Sequence, residues 1–591
     1  MRAQFSRPRQ HGFSIICNIL RTDYMAEIPG PAVDEEEWSD DEFEGYVDNT
    51  DGEPQCKETK DVESTAELDV GKECEVRGIP EYSQLPGINH QCSDAVTPLE
   101  IYNMLLTDDI LDQIVKQTIL YADQYTTSHP VLPHSRVHGW SREPFTREEL
   151  QKFISLIIVM GLVNLPTLED HWVTTWPYSS QTCSKVLKRD RFTLILKFFH
   201  LNNNAHYIPK GQPGHDPLYK LRPLLDPLIG NFQAAYTLNR ELSVDEAMVG
   251  FKGRLSFLQY LPRKPTKWGM KAFVLADSSN GYVYNWKLYT GKDKTLPLGE
   301  QSYPHAVVLD LLKGLERRGH HVYVDNYYTS PALFSDLRDR GFGACGTVRA
   351  NKRGLPIEMK ATLEKGAVIS ANVDRSMMAL KWMDKRPVLM LTTIHDNSMT
   401  TKVRRKRRRG GEREEIRKPV AVDQYNQFMG GVDRSDQLLS YYGFSHRTVK
   451  WWRRAAFHLL DMAIVNSYVL YSSLHTGRKL THEQFRIELA KELLLQASVN
   501  VADDMSACHG RLQRPLPPQA RLTERHFPSH LPCTPSGRRG QKVCVVCSKK
   551  RGHGRKTTSF MCNQCQHPMC IIPCFELYHT KVDPVRYLPI Q

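Results

Sequence analysis

The sequence predicts an α/β protein whose central sheet is flanked by helical segments, with an acidic arm before it and a cysteine-rich module after it. Three observations support this prediction. Segments rich in Val, Tyr, Phe and Leu follow residue 240 in the order strand, strand, strand, helix, strand, as in an α/β layer fold. Apolar residues at helical spacing occupy the segments on both sides. Six of the fourteen cysteines lie within residues 544–574.

The composition is that of a globular protein that binds a polyanion. The chain has 591 residues, of which 40% are hydrophobic and 24% charged, and its formal net charge is +12. Residues 34–69 contain sixteen acidic and two basic residues, a net charge of −14, so the rest of the chain carries +26. An acidic arm joined to a strongly basic body favours a nucleic-acid partner.

The sequence does not support a membrane or secreted class. The longest apolar run, 153–165, has about 13 residues, whereas a helix that spans a bilayer needs about 20. No secretory signal is evident, so the crowded cysteines indicate metal binding rather than disulfides. We expect no membrane contact and no small-molecule substrate.

The first two predicted regions precede the sheet. Residues 1–95 contain too little apolar surface to fold alone, so we expect a disordered acidic arm. Residues 96–235 are predicted to form a helical domain that begins at an N-cap at Thr97 and continues through 146–162 and 184–200. Basic faces on these helices indicate either solvated surface or contact with DNA.

The predicted α/β core spans residues 236–500. Its strand candidates are 241–251, 272–276, 282–289 and 321–324, with a helix over 306–318. Short strands make 340–422 an expected insertion, and 423–500 is predicted to be helical. A linker rich in Pro, Arg and Ser, 501–541, leads to the cysteine-rich module at 542–582.

Four aspartates form the candidate catalytic set. Asp245 lies in the first strand candidate, Asp325 follows 321–324, and Asp433 and Asp436 lie where a helix begins. If the strands are neighbours, the carboxylates converge, repel one another and need divalent cations; oxygen ligands suit Mg²⁺ or Mn²⁺. Two such ions can activate an attacking oxygen and stabilise the leaving one at a phosphodiester. The alternative is a helix cap at Asp433 and an Asx turn at Asp325.

The C-terminal module has the spacing of a structural zinc site. The candidate ligands are Cys544, Cys547, Cys562, Cys565, Cys570, Cys574 and His579. A cross-braced pair of zinc ions would join the first and third cysteine pairs at one ion, and the second pair with the histidine at the other. This arrangement lacks an eighth ligand, for which His567 and His553 are candidates. One zinc ion with spare cysteines is the alternative.

Basic and aromatic residues near these motifs are the candidate nucleic-acid contacts. They are Arg263, Lys264, Lys267, Trp451, Arg453, Lys549, Lys550 and Arg551. The cations would hold backbone phosphates, and Trp451 or Trp452 could stack on an unpaired base. The alternatives are solvated basic loops and core packing, which also applies to Trp268. The run 402–409, with seven basic residues in eight, is typical of a nuclear localisation signal or of a DNA contact.

Five ordered motifs resemble those of the piggyBac transposase family. They are SVDEAMVGFKGR, YLPRKPTKWGMK, VYVDNYYTS, YNQFMGGVDRSDQ and NSYVLY. With the CxxC module the resemblance spans roughly residues 97–580, and it is greatest to the vertebrate piggyBac-derived proteins of type four. It implies an RNase H-like catalytic core and a helical domain for DNA binding and dimerisation. The family's three catalytic aspartates correspond to Asp245, Asp325 and Asp433, a further functional aspartate to Asp436, and a functional tryptophan to Trp451.

The resemblance implies cut-and-paste DNA transposition by metal-dependent strand cleavage and transfer at TTAA targets. The expected partners are double-stranded transposon ends, target DNA and a second copy of the chain, and the expected compartment is the nucleus. The alternative is a domesticated nuclear DNA-binding or chromatin protein that keeps the fold and has lost transposition. The intact aspartates favour the first function without excluding the second.

Overall fold

The computed structural model describes most of the chain between residues 79 and 581. The described ranges are 79–89, 96–129, 135–175, 182–262, 264–291, 302–405, 413–444, 446–475, 479–498, 526–532, 540–549 and 556–581. Most of the predicted acidic arm, 1–95, and most of the predicted linker, 501–541, lie outside these residues.

Thirteen α-helices are present in the described residues, the last of them in the cysteine-rich module. They are α1 (Pro98–Leu105), α2 (Asp108–Ser128), α3 (Arg147–Leu162), α4 (Thr182–Val186), α5 (Arg189–Phe198), α6 (Arg222–Ala235), α7 (Tyr303–Leu311), α8 (Pro331–Asp339), α9 (Val420–Phe428), α10 (Gly431–Tyr441), α11 (Trp451–Leu474), α12 (His482–Gln496) and α13 (Glu576–Thr580). Thr97 caps α1 as expected, since its Oγ1 accepts the Glu100 N–H while the Glu100 carboxylate accepts the Thr97 N–H. No described helix is both long and apolar enough to cross a bilayer.

Seventeen strands are present in the described residues. They are β1 (Gly87–Ile88), β2 (Tyr236–Thr237), β3 (Glu241–Gly250), β4 (Leu258–Tyr260), β5 (Trp268–Asp277), β6 (Val283–Leu288), β7 (His321–Val324), β8 (Gly343–Thr347), β9 (Val368–Asp374), β10 (Met377–Met383), β11 (Pro387–Thr392), β12 (Met399–Arg405), β13 (Arg413–Pro419), β14 (Pro528–His530), β15 (Lys542–Val543), β16 (Thr557–Thr558) and β17 (Phe560–Cys562).

One sheet of nine strands forms the centre of the fold. Its order is β4-β5-β3-β7-β8-β11-β10-β9, with β6 paired to β5. β7 runs parallel to β3 and to β8, and the other pairs are antiparallel. The segment 340–422 forms β8–β13, of which β8–β11 widen this sheet and β12–β13 form a separate hairpin. The predicted α/β core is therefore present.

Helix α11 lies against the sheet through a buried amide. The side chain of Asn466, in the motif NSYVLY, accepts the Val283 N–H at 2.9 Å and donates to the Val283 carbonyl oxygen at 2.8 Å. A buried backbone group without a partner is costly, so the amide takes the place of a neighbouring strand at this point of β6. Apolar side chains of α11 and of the sheet belong to one continuous core.

Ion pairs within the helical domain involve part of its predicted basic faces. Arg191 donates to Glu149 through Nε at 2.7 Å and Nη2 at 2.6 Å, and both side chains are nearly buried. Arg147 pairs with Asp108 at 2.6 Å and also with Asp112. These arginines therefore join helices to one another, and the DNA-contact interpretation does not hold for Arg191.

The described residues before α1 are fastened to the start of the core. β1 pairs with β2, and Asn89 donates its side-chain amide to the Ala234 carbonyl oxygen at 2.8 Å. Tyr82 donates its hydroxyl to the Leu238 carbonyl oxygen. Residues 79–89 therefore attach the chain near the first residues of β3.

Candidate active site and zinc-binding module

Two predicted aspartates lie at equivalent positions on neighbouring strands. β3 and β7 are parallel, and Val244 and Val324 are partners in their register. Asp245 and Asp325 are the next residues on the two strands, and side chains at equivalent positions of parallel strands point to the same face. The sheet therefore brings these two aspartates together.

Local hydrogen bonds orient both carboxylates. Asp245 Oδ1 accepts the Glu246 N–H at 2.8 Å, and Asp325 Oδ1 accepts the Asn326 N–H. The backbone carbonyl oxygen of Asp325 accepts the Tyr328 N–H at 3.1 Å. A backbone turn therefore follows β7, whereas the Asx turn that the sequence offered as an alternative role for Asp325 would need a bond to the N–H two residues on, and the carboxylate instead accepts the N–H of the next residue.

Helix α10 carries the other two aspartates and packs directly on β3. Asp433 and Asp436 are its third and sixth residues, about one turn apart. Gly431 permits the close approach, because a Cβ atom there would lie 2.4 Å from Ser243 Oγ and 2.9 Å from the Asp277 carbonyl oxygen. The helix begins at Gly431, so Asp433 belongs to its first turn and is not the N-cap that the sequence offered as an alternative.

Arg434 fastens α10 to the turn between β5 and β6. Its Nη1 donates to the carbonyl oxygens of Ser278, at 3.2 Å, and Ser279. The buried carboxylate of Asp277 stiffens this turn, since it accepts the N–H groups of Asn239 at 2.7 Å and Ser279 at 2.8 Å. Fixed elements on two sides therefore set the position of the helix and of the carboxylates it carries.

Three of the carboxylates, those of Asp245, Asp325 and Asp436, are partly buried, whereas Asp433 is exposed. Burial, with the charges of Glu246 and Asp433, raises the pKa of Asp245 to about 7. Burial and the charge of Asp433 also raise the pKa of Asp436 to about 7. The ammonium group of Lys264 favours ionisation of both groups but does not offset the burial. Burial, more than the neighbouring charges, therefore disfavours the ionised forms of these two carboxyl groups.

The donor set of this site fits a hard divalent cation. Among the described residues, the groups of three or more ligand atoms within 4.8 Å of one another lie in the C-terminal module, so the aspartates do not form a closed cage. Mg²⁺ commonly binds through one or two carboxylates and completes its coordination with water and substrate phosphates. A cation would also stabilise the ionised forms of the two carboxyl groups whose pKa is raised.

The hairpin β4–β5 contacts the strand of the first aspartate through Lys264. Lys264 Nζ donates to the Glu246 carbonyl oxygen at 2.8 Å. Lys267 is exposed, and Arg263 lies outside the described residues. Trp268 is 44% exposed, so the core-packing interpretation of this ring does not hold. Of the predicted contact residues, Lys264 thus lies next to the strand of Asp245 and Lys267 in solvent.

The two tryptophans at the start of α11 are both packed. Trp452 is 4% exposed and belongs to the core. The half-buried ring of Trp451 meets Phe257 edge-on, with ring centroids 5.3 Å apart. Arg453 donates to the carbonyl oxygens of Lys197 and, at 3.4 Å, of Phe199, and burial lowers its pKa to about 10. Arg453 therefore joins α11 to the end of α5, and its contact with DNA stays a prediction.

The basic run 402–409 begins on β12. Lys402 forms an ion pair with Asp423 of α9 at 3.1 Å, and Lys418 of β13 pairs with the same carboxylate at 2.7 Å. Residues 406–412 lie outside the described part of the chain. Localisation to the nucleus through this run stays a prediction.

The cysteine-rich module brings eight ligands together in two groups of four. One group is Cys544, Cys547, Cys570 and Cys574; the other is His526, Cys562, Cys565 and His579. His526 Nδ1 lies 3.5 Å from Cys562 Sγ and 3.3 Å from Cys565 Sγ, and His579 Nε2 lies 3.4 Å from Cys565 Sγ. The edges of a tetrahedral zinc site are about 3.5–3.8 Å long, so the spacing fits zinc.

Contacts with backbone groups orient these ligands. The Cys565 N–H donates to Cys562 Sγ and the Cys570 N–H to Cys544 Sγ, both at 3.4 Å. His579 Nδ1 lies 2.7 Å from the Phe575 carbonyl oxygen, which directs Nε2 to the metal. The buried side chains of this module are mainly its cysteines, so the metal must supply much of the folding free energy.

The sequence did not identify His526 as the eighth ligand. His567 is buried but belongs to neither group, and His553 lies outside the described residues. His526 lies 36 residues before Cys562, within the predicted linker 501–541, and a lone histidine has no motif spacing to mark it. Its ring reaches the site because β14, two residues later, pairs with β17, which ends at Cys562.

The side chains predicted to contact phosphate in this module lie outside the described part of the chain. Lys549 ends a short 3₁₀ turn, Cys547–Lys549, and its side chain is not described. Lys550 and Arg551 lie outside the described residues. The role of this loop in holding transposon ends stays a prediction.

Comparison with protein families accounts for both the core and the module. The family described as Transposase IS4 matches residues 97–468, which is more than half of the chain. The chain belongs to this transposase family. A second family, described as DDE_Tnp_1-like zinc finger, matches residues 525–580 and thus includes His526.

Curated human proteins resemble this transposase-family chain over most of its length. The chain is 25% identical over 499 residues to PiggyBac transposable element-derived protein 3 of Homo sapiens, covering 82% of this chain and 76% of that protein. It is 24% identical over 410 residues to PiggyBac transposable element-derived protein 2 of Homo sapiens, with 65% and 63% covered. The predicted membership of the piggyBac family is confirmed, and the resemblance to type four stays a prediction.

A solved piggyBac transposase shares the fold. The structure is described as a cryo-EM structure of a piggyBac transposase synaptic complex with hairpin DNA. It aligns with a TM-score of 0.60 at 22% identity, covering 82% of this chain and 98% of that chain. The predicted fold class, an α/β transposase core with a helical domain and a C-terminal zinc module, is confirmed.

Proposed function

We propose that this protein is a metal-dependent DNA transposase of the piggyBac type. The observation that carries the proposal is the convergence of Asp245 and Asp325 at equivalent positions of two parallel strands, with α10 packed on one of them. In a chain of a transposase family, fixed carboxylates of this kind suit phosphodiester chemistry. The DDD-type assignment, Asp245, Asp325 and Asp433, follows from the motifs together with this geometry.

In the proposed mechanism Asp245, Asp325 and Asp433 would hold Mg²⁺ or Mn²⁺. When bound, the cations supply an activated attacking oxygen and charge stabilisation of the leaving oxygen. Asp436, one turn after Asp433, adds its charge to the same environment. Lys264, held beside Asp245 by its bond to the Glu246 carbonyl oxygen, is placed to neutralise a phosphate oxygen.

Each chemical step is an in-line displacement at phosphorus. Water attacks at the transposon end and releases a 3′-hydroxyl, which then attacks the opposite strand and leaves a hairpin. A second hydrolysis opens the hairpin, and the 3′-hydroxyl finally attacks the target at TTAA. The hairpin and TTAA steps rest on the family resemblance, as do the action of two copies together and the location in the nucleus.

An excision assay tests the proposal. The full chain is expressed with a plasmid element whose ends are inverted repeats flanked by TTAA, taken from the DNA on either side of the gene. We expect excision by the wild type and none by Asp325→Asn. Asp339→Asn, an exposed aspartate on α8, is the matched control and should excise as the wild type does. Equal background for the wild type and Asp325→Asn would refute transposase activity.

A DNA-binding protein without transposition is the second candidate. It is favoured by the human relatives, which are described as derived from transposable elements. The purified chain would then bind end DNA with its zinc module loaded but release no strand in Mg²⁺ or Mn²⁺. Binding and strand release measured on the same labelled DNA distinguish the two functions.

A further inference from the structure

We propose that Tyr260 and Trp268 form a stacking site for an unpaired base of the DNA strand held at the carboxylates. The two residues are partners in the register of β4 and β5, and their ring centroids lie 4.7 Å apart at an interplanar angle of 40°. The inference rests on the proposed function only in its choice of DNA as the ligand. The resemblance of the sequence motifs to the piggyBac family gives these two rings no role, and the inference assigns them the binding of a base.

The exposure of these rings is unusual for aromatic side chains. Tyr260 is 48% exposed and Trp268 is 44% exposed, although each belongs to a strand of the central sheet. Trp452, which the sequence offered as a stacking ring, is buried, and Trp451 packs edge-on against Phe257. The aromatic surface is therefore more exposed at the hairpin than at the start of α11.

The hairpin connects this aromatic pair with the carboxylate site. Its loop is closed by a hydrogen bond of 2.8 Å from the Leu261 N–H to the Lys267 carbonyl oxygen. Within the loop, Lys264 reaches back to the Glu246 carbonyl oxygen, next to Asp245. A strand that has its phosphate at Lys264 would therefore pass beside the exposed rings.

The charge around the rings suits a polyanion. Residues 247–276 contain six basic residues and no acidic residue. Lys252, Arg254 and Lys267 are exposed, and no carboxylate among the described residues forms an ion pair with them. Exposed aromatic rings next to unpaired cations are the combination by which proteins bind single-stranded nucleic acid, with bases on the rings and phosphates on the cations.

The occupant is an unpaired base because a base within a duplex has both faces covered by its neighbours. Strand cleavage and transfer at a DNA end expose such bases beside the cut. A protein partner or a second copy of this chain is less favoured, because lysine is depleted at the core of protein interfaces whereas Lys264 and Lys267 lie in the loop between the two rings. These other occupants are outcomes of the test below.

The test compares DNA with and without unpaired bases. The full chain, carrying Asp325→Asn to prevent cleavage, is titrated with a blunt duplex and with the same duplex bearing a four-nucleotide 3′ tail. We expect Trp268→Ala to weaken binding of the tailed duplex about tenfold, because stacking on an aromatic ring contributes of the order of this factor per base. Binding of the blunt duplex should change less than about twofold.

Two further variants separate stacking from charge and from folding. Trp268→Phe keeps a ring and should restore most of the tailed-duplex affinity, and Tyr260→Ala should repeat the loss if Trp268→Ala folds poorly. Lys267→Ala should weaken the binding of both duplexes and lower the salt dependence of binding by about one ion. The salt dependence of Trp268→Ala should equal that of the parent chain.

Three results would overturn the inference. Equal loss for blunt and tailed duplexes would show that the ring supports the fold or a phosphate contact. No loss of affinity for either duplex would show that no base binds at these rings. A change in sedimentation of Trp268→Ala, with both affinities unchanged, would assign the rings to an interface between copies. None of these outcomes depends on cleavage, so failure of the proposed transposase activity would be seen separately in the excision assay.

Discussion

A single methyl group at Gly431 should separate the carboxylates of α10 from those of the sheet. Gly431→Ala would place a Cβ atom 2.4 Å from Ser243 Oγ and 2.9 Å from the Asp277 carbonyl oxygen. The carbonyl oxygen belongs to the backbone and cannot turn away, and the buried Ser243 has little room to do so. Reaching ordinary van der Waals contact requires α10 to move from β3 by about 1 Å.

This displacement fixes the size of the expected effects. Overpacking of a close contact costs about 1–3 kcal/mol, so the free energy of unfolding should fall by about 2 kcal/mol. Misplacement of a catalytic group by about 1 Å costs on the order of 100-fold in rate. We therefore expect first-turnover strand cleavage by Gly431→Ala to slow about 100-fold, with DNA affinity within about twofold because no DNA contact is removed.

Gly430→Ala is the matched control for this substitution. A Cβ atom at Gly430 has no neighbour within 4 Å, and the residue's φ of −79° is open to alanine. Its unfolding free energy and cleavage rate should differ from those of the wild type by less than about 0.5 kcal/mol and about twofold. Denaturant unfolding and single-turnover cleavage of labelled end DNA in Mg²⁺ measure the two quantities for both variants.

Two outcomes would refute this reasoning. If Gly431→Ala is as stable and as fast as Gly430→Ala, the helix does not depend on the contact with β3. If it loses stability but the folded fraction cleaves at the wild-type rate, the contact supports the fold without setting the position of the aspartates. The free energies of unfolding of the two variants can be compared even if the wild type cleaves no DNA.

Three further predictions concern the zinc module and the buried polar groups. His526→Ala should lower bound zinc from two ions to one per chain by elemental analysis, whereas His530→Ala should retain two; two ions in both would exclude His526 as a ligand. Arg191→Met leaves a buried carboxylate unpaired and should lower the unfolding free energy by about 3 kcal/mol in denaturant titration, against less than about 0.5 kcal/mol for the exposed Arg189→Met. Asn466→Leu leaves the Val283 N–H and carbonyl oxygen without partners, so the unfolding free energy should fall by about 2–4 kcal/mol in the same titration. An unchanged unfolding free energy would mean that water replaces the amide.

Local sequence patterns were sufficient for the elements that carry the first two aspartates. The predicted strands 241–251 and 321–324 correspond to β3 and β7, because runs of Val, Tyr and Leu suit a buried pleated strand. The sequence could not show that these strands are neighbours, since residues 251–320 separate them and pairing depends on the crossover. The sequence therefore predicted the convergence of Asp245 and Asp325 only if the two strands are neighbours. The register of β3 with β7 meets this condition.

Other features have weak or misleading local signals. The predicted helical region 423–500 divides into four helices, starting with α9. The strand β12 is hidden in the run 402–409, because lysine and arginine are depleted in strands and resemble a solvated loop. Gly410 and Gly411, which lie between two charged stretches, were the available signal for a hairpin turn. Contacts such as that of Gly431 with Ser243 depend on tertiary packing and leave no periodic pattern.

The amide of Asn466 has a consequence for how copies of this chain can associate. β6 pairs only with β5 among the described strands, so its other side would otherwise offer an open backbone edge to a second molecule. Helix α11 covers that edge and uses both hydrogen-bonding groups of Val283. An edge closed in this way is protected from intermolecular strand addition, a common route to aggregation. Among the described strands, β4 and β9 end the order of the sheet, so such addition would have to occur at one of these two strands.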